Sequence, residues 1–209
     1  MDDRRQSSIR SRNRNLGNCG LIAAMALCIV GMAAAMHGLP KIGPGDEWEA
    51  AAKEIKRLPP SAFRKLPVPD RKRLNDLGCR IPQVPGTAKP HNVVAGEFAK
   101  AGQTDRAVLC SRMGRSNVLV LWGGPAKCPS ELAAADDKLS LQGMDEGKIE
   151  FSRMISPVEA KYIIEHQQAY GGPKPPVISH QGIDDAFVGK ASVVHYCYQG
   201  KWLQLQGAD

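Results

Sequence analysis

The sequence predicts an α+β protein: an antiparallel β-rich domain with one capped helix packed on the sheet, preceded by a short helical segment. Three observations carry that expectation. Period-two apolar alternation recurs between residues 92 and 206, whereas helical periodicity is confined to stretches before residue 78 and to one near 157–170. Glycine and proline interrupt the chain at short intervals, as turns between strands require. At 209 residues with ordinary apolar content, the chain suffices for one domain with a real core.

Residues 1–38 read as a signal peptide or an N-terminal membrane anchor. Arg4, Arg5, Arg10, Arg12 and Arg14 precede an uncharged apolar run, and Ala33-Ala34-Ala35 offers a small-x-small cleavage site. The run over 16–36 is marginal for a span of roughly 20 residues, so cleavage and anchoring both stay open. Either outcome places the chain in the periplasm or outside the cell, with tethering to the inner membrane as the anchored form. The formal charge of +7 includes these five arginines against Asp2 and Asp3. The rest carries only a mild excess, which gives no argument for a nucleic-acid partner.

Export changes the reading of the cysteines. Cys19 and Cys28 fall in the targeting segment, which leaves Cys79, Cys110, Cys128 and Cys197. An even number in an oxidising compartment favours disulfides, and four cysteines allow three connectivities. Four buried thiols packed as small hydrophobes are the alternative. No Cys-x-x-Cys is present, so neither a redox motif nor a zinc knuckle is suggested.

Residues 39–90 form a basic, Pro-rich helical lead. Over 46–58, Trp48, Ala51, Ala52, Ile55 and Leu58 make one apolar stripe, and Pro59-Pro60 should stop the helix. A second, broken piece runs over 61–77, interrupted by Pro67 and Pro69, with Gly78 suited to the C′ position. Nine lysines and arginines lie between Lys53 and Arg80, so the basic segment 53–80 is a candidate contact for anionic lipid or polymer. Interleaved acids give the plainer reading of a solvated face.

The β-rich domain is expected over 91–209. Residues 92–124 read as three strands joined by two turns. In 106–111, Ala107 and Leu109 share one face and Val108 and Cys110 the other, while 118–122 is apolar throughout, as a strand covered on both sides should be. Met113-Gly114-Arg115-Ser116 supplies the turn between them. A short helix is expected over 129–135, then a hairpin from 138–142 and 148–154. Ser156-Pro157-Val158-Glu159 has the form of a capping box with proline at N1, so a helix should follow to Tyr170. A polar loop leads to a last hairpin, 191–198 and 201–206, turning at Gln199-Gly200, with Val194, Tyr196 and Tyr198 on one face.

Gly96, Glu97, Phe98, Gly102, Asp105 and Ala107-Val108-Leu109 follow a frame that resembles the FG-GAP/VCBS type of β-propeller repeat. The resemblance implies a strand-loop-strand unit and a calcium loop with oxygen ligands at alternate positions. Glu97 and Asp105 keep such positions, but Ala99 and Ala101 replace the middle donors and Lys100 adds a positive charge, so no metal is expected. The frame occurs once, and no repeat at fixed period accompanies it.

No constellation of catalytic residues stands out. Ser111 or Cys110 with His195, His180 or His166 and Asp184 or Asp185 are the candidates for nucleophilic chemistry, without a Gly-x-Ser-x-Gly elbow. His180 with Asp184 lacks a second histidine at metal-ligand spacing, and no Gly-rich phosphate loop follows a strand. Trp122, Tyr196, Tyr198 and Trp202 are candidate binding aromatics, although strand aromatics more often build core. The expectation is therefore a non-enzymatic binding module without cofactor, whose partner is an envelope or secreted protein or polymer. The alternatives are a small exported hydrolase using His180 or His195 with Asp184 or Ser111, and a periplasmic enzyme inhibitor.

Overall fold

The computed structural model describes residues 45–208; the expected signal or anchor, with residues 16–36, lies outside them. Asp46–Glu54 forms α1, with Asp46, Glu47 and Glu49 in the first turn and Lys53 in the last, each of the sign the helix dipole favours. Trp48, Ala51 and Ala52 pack on the central core. The helix ends sooner than its stripe suggests. Ile55 leaves helical geometry (φ −54°, ψ 116°) and buries its side chain, and Arg57–Leu58 becomes β1, paired with β2, Ile81–Pro82. Pairing with β2 holds Arg57 and Leu58 extended, and Pro59 disfavours helix at Leu58.

A 3-10 turn at Pro60–Ala62 leads to α2, Val68–Asp76. Pro69 begins this helix instead of interrupting it, since an N-terminal N–H has no intrahelical partner to lose. Gly78 takes φ 67° at its end, and Gly78 N–H and Cys79 N–H donate to the carbonyls of Asn75 and Leu74, both at 2.9 Å. That is a Schellman ending.

The first sheet is a meander of β3 (Val93–Gly96), β4 (Asp105–Arg112), β5 (Arg115–Leu121) and β6 (Glu131–Asp136), adjacent in that order and antiparallel. The alternation read from the sequence holds. Ala107, Leu109, Val118 and Val120 enter one core, while Val108, Cys110, Leu119 and Leu121 enter another with Phe63, Leu66, Leu74 and Ile81. Met113 (φ 51°) and Gly114 (φ 79°) make the tight turn.

β6 replaces the expected short helix. Its alanines favour a helix, but the open edge of β5 offers a ladder that satisfies the backbone, and tertiary context overrides propensity. The register shifts opposite Asn117, where Ala133 adopts φ 51° in a bulge.

A 3-10 turn, Asp137–Ser140, precedes a small hairpin of β7 (Leu141–Gly143) and β8 (Ile149–Phe151), shorter than expected. Asp137 is drawn into a buried network. It accepts from Ser111 Oγ at 2.5 Å, from Ser116 Oγ, and from Arg57 Nε and Nη2 at 3.1 and 2.7 Å.

The second sheet contains β9 (Arg153–Val158), β10 (Gly182–Phe187), β11 (Ala191–Tyr198) and β12 (Lys201–Gln206), with α3 (Ala160–Tyr170) between β9 and β10. The expected capping box does not form. Ser156, Pro157 and Val158 pair with Asp184, Ile183 and Gly182, so strand pairing holds them extended, and Glu159 stands at the N-cap with its carboxylate accepting from Gln181 Nε2 instead of capping the helix. Gly182 brings Ile163 of α3 close, since a Cβ there would stand 3.2 Å from its Cδ1. β10 runs through what reads as polar loop, because Asp184 and Asp185 disguise it as a turn.

The layers are thus α2 with its 3-10 turn, the first sheet, the second sheet, and α3. Cys79 bonds Cys110 and Cys128 bonds Cys197, which selects one of the three connectivities. The described residues form one compact unit, so residues 60–81 of the Pro-rich segment are built into the domain as a covering layer.

Candidate functional site

Arg153, Asp185 and His195 lie on neighbouring strands of the second sheet, on the face turned toward the first. Phe187 pairs with Arg153 and Ile183 with His195, so Asp185 sits diagonally between the two on one face. Arg153 grips Asp185 with two bonds, Nε to Oδ1 at 2.8 Å and Nη2 to Oδ2 at 2.6 Å. Nη2 also donates to the Ala133 carbonyl at 2.7 Å. The β6 bulge is what turns that carbonyl out of the ladder. His195 Nε2 stands 3.5 Å from Asp185 Oδ2, at the outer limit of hydrogen bonding. The three side chains are 8%, 10% and 4% exposed, and Arg153 Nη1 is buried without a hydrogen-bond partner.

Burial pushes the Asp185 carboxyl upward, but the His195 ring and the Arg153 guanidinium outweigh it and hold the carboxyl below its ordinary range. The cluster borders a cavity of about 330 Å³ at one end of the sandwich, with Ala134, Phe187 and Gln204 in the wall and Leu139 and Val193 exposed at the rim. Chemically, the charge of Arg153 is matched by Asp185, and the site offers the cavity a titratable ring beside that pair and the Gln204 amide. Ser140 lines the same cavity, but among the described residues no hydrogen bond joins its hydroxyl to His195.

The residues expected to carry nucleophilic chemistry do not converge. Ser111 is locked to Asp137 and accepts from Arg57 Nε, so its hydroxyl is already engaged within the first sheet. Asp184 alternates to the opposite face of β10 from Asp185, and burial raises its carboxyl, with the nearby Ser192 hydroxyl pulling the other way and the Asp185 charge adding to the rise. Its Oδ1, Ser192 Oγ and His166 Nε2 are all buried without a hydrogen-bond partner. His180 stacks on Tyr196 at 4.2 Å, with its ring nitrogens 2.9 and 3.1 Å from the carbonyls of Gln181 and Cys197. Cys110 is consumed by its disulfide.

The candidate aromatics fall into two pairs. Trp122 and Trp202 stack at 5.9 Å, and their indole N–H groups donate to Ser130 Oγ and the Pro129 carbonyl. Tyr196 is buried and its hydroxyl accepts from the Ser179 N–H. Tyr196 and Tyr198 both line a cavity of about 410 Å³, distinct from that of the Arg153 cluster, with Lys100, Lys127 and His180.

Asp105 is buried and filled by N–H donors. Phe98 and Ala99 donate to Oδ2, and Gln103 and Gly123 to Oδ1, between 2.8 and 3.1 Å. It anchors its loop from inside. Among the described residues no group of three or more histidine, cysteine, aspartate or glutamate side chains is placed to hold a metal, and no helix is long and apolar enough to cross a membrane.

Arg153 is the member of the cluster that sequence reading passes over. Its signal is a lone arginine in the apolar run Phe151-Ser-Arg-Met-Ile155, since a buried guanidinium in a strand demands an acidic partner. Comparison with family models, with curated proteins and with solved structures finds no match to this chain.

Proposed function

We propose that this chain is an exported, non-enzymatic binding module, tethered to or released from the cell envelope, that recognises a partner through its second sheet. The observation that carries the reading is the Arg153–Asp185–His195 cluster. It is fixed by burial and bidentate bonding, it opens into a cavity, and among the described residues no hydroxyl or thiol is hydrogen-bonded to its histidine. Such a site favours recognition of acceptor oxygens over bond cleavage, which needs a nucleophile held against its base. The arginine-led apolar N-terminus and the two cysteine pairs support export. A periplasmic enzyme inhibitor is a special case of the same reading.

A second reading, a small exported hydrolase, is favoured by Ser140 lying in the same cavity as His195 and Asp185. One titration separates the two. Acetate and inorganic phosphate should shift the amide resonances of Ala134, Leu139 and Gln204, and His195→Ala should weaken that response about fivefold or more, as loss of one charge-assisted bond does. Turnover of simple ester or peptide substrates, abolished by Ser140→Ala and by His195→Ala in a folded chain, would instead establish the hydrolase.

A further inference from the structure

A different part of the molecule carries a second binding surface. β3 is the terminal strand of the first sheet, paired only with β4. Leu109 N–H donates to the Asn92 carbonyl, so by antiparallel alternation the N–H and C=O groups of Val93 and Ala95 point to the unpaired edge. A groove of about 480 Å³ lies beside β3, on the face that Val93 shares with Phe63 and Leu66. Val93, Val94 and Ala95 all line it, which side chains alternating between faces cannot do alone, so the strand's backbone forms part of the wall.

Phe63 and Leu66 give the groove an apolar floor. Arg64, Lys65 and Lys89 stand exposed around it, and among the described residues none of them is in an ion pair. The fourth cation, Arg106, lies 3.5 Å from Asp70. The loop bearing Lys89 is held in place. The Gln83 amide donates to the carbonyls of Ile81, Pro82 and His91, and His91 Nε2 accepts from the Val84 N–H at 2.8 Å.

An open strand edge, an apolar floor and three unpaired cations define one kind of occupant. We propose that the β3 edge docks an extended, acidic segment of a partner protein, which adds to the first sheet as a fifth strand. Main-chain bonds to Val93 and Ala95 would supply the pairing, alternate apolar side chains would rest on Phe63 and Leu66, and the long exposed side chains of Arg64, Lys65 and Lys89 would reach round the strand to the carboxylates on its other face. This goes beyond the Arg153 cavity and shares no residue with it, so failure here bears on the groove alone.

The test uses the full chain in non-ionic detergent and a fluorescent heptapeptide alternating glutamate and valine. The peptide should bind, and added salt should weaken it. Arg64→Glu with Lys65→Glu should reduce affinity about tenfold or more. N-methylation of alternate peptide amides on one edge, and independently Ala95→Pro in the protein, should do the same, because each removes donors from the shared ladder. No binding by the glutamate–valine peptide overturns the proposal. So does binding that survives N-methylation, or equal binding of polyglutamate or of anionic lipid vesicles, since each outcome assigns the groove to charge alone.

Discussion

Asn92 shows how one side chain can join two sheets. It is fully buried with φ 67°, a conformation asparagine tolerates better than most residues. Its Nδ2 donates to the carbonyls of Pro82 and Arg153, and its Oδ1 accepts from the Ile155 N–H. Asn92→Ala removes three bonds at once and strands buried groups on β2 and β9, so it should cost about 3 kcal/mol in denaturant unfolding. The neighbouring carboxylates Asp184 and Asp185 make opposite predictions. Asp185 is held low by His195 and Arg153 despite its burial, so its stabilisation is present above the unfolded carboxyl value of about 3.9 and is lost as pH falls through the lower folded value. Asp185→Asn should lower the melting temperature sharply at neutral pH, with the gap to the parent closing in acid. Asp184 is raised by burial, so its charge opposes folding above its folded value. Asp184→Asn should raise the melting temperature at neutral pH, and the gain should vanish in acid below the unfolded value. Melting curves of the three proteins from neutral pH to pH 3 check both signs.

At the scale of elements, the endings of α1 and α2 were legible to different degrees. Gly78 declared itself because only the C′ position after an apolar turn asks for glycine there. A Cβ at Gly78 would meet nothing within 4 Å, so Gly78→Ala isolates backbone strain from packing. It should cost about 1 kcal/mol in chemical denaturation, with the fold unchanged. The strands of the first sheet were readable because each residue type agrees with its face. β6 and β10 were not. The alanines of β6 favour a helix until the β5 edge is present, and β10 spends two of its six positions on aspartate. The residues 156–159 failed for a related reason. A capping box is a local pattern, and the ladder with β10 supplies bonds that the local pattern cannot outbid.

At the scale of the whole molecule, one disulfide ties the end of the α2 layer to β4 and the other ties the β5–β6 connection to β11 of the second sheet. They close loops of 31 and 69 residues. Loop entropy of that size corresponds to about 4 kcal/mol for each bond. Reduction should therefore lower the denaturation midpoint well below that of the oxidised chain. Cys128→Ser with Cys197→Ser should show a smaller drop than full reduction, measured by fluorescence of the tryptophans.

The sequence by itself determined the α+β class, the β4–β5 and β11–β12 hairpins with their faces, the end of α2, and the four cysteines available for pairing. Each is set by neighbours within a few residues, where alternation, turn chemistry and capping act. Only the tertiary structure decided which cysteines pair, that the Pro-rich segment is a covering layer, and that Arg153, Asp185 and His195 meet. Those depend on which edges and faces lie next to one another. A buried guanidinium, a bulged alanine and a strand carrying two aspartates become favourable only when their distant partners arrive.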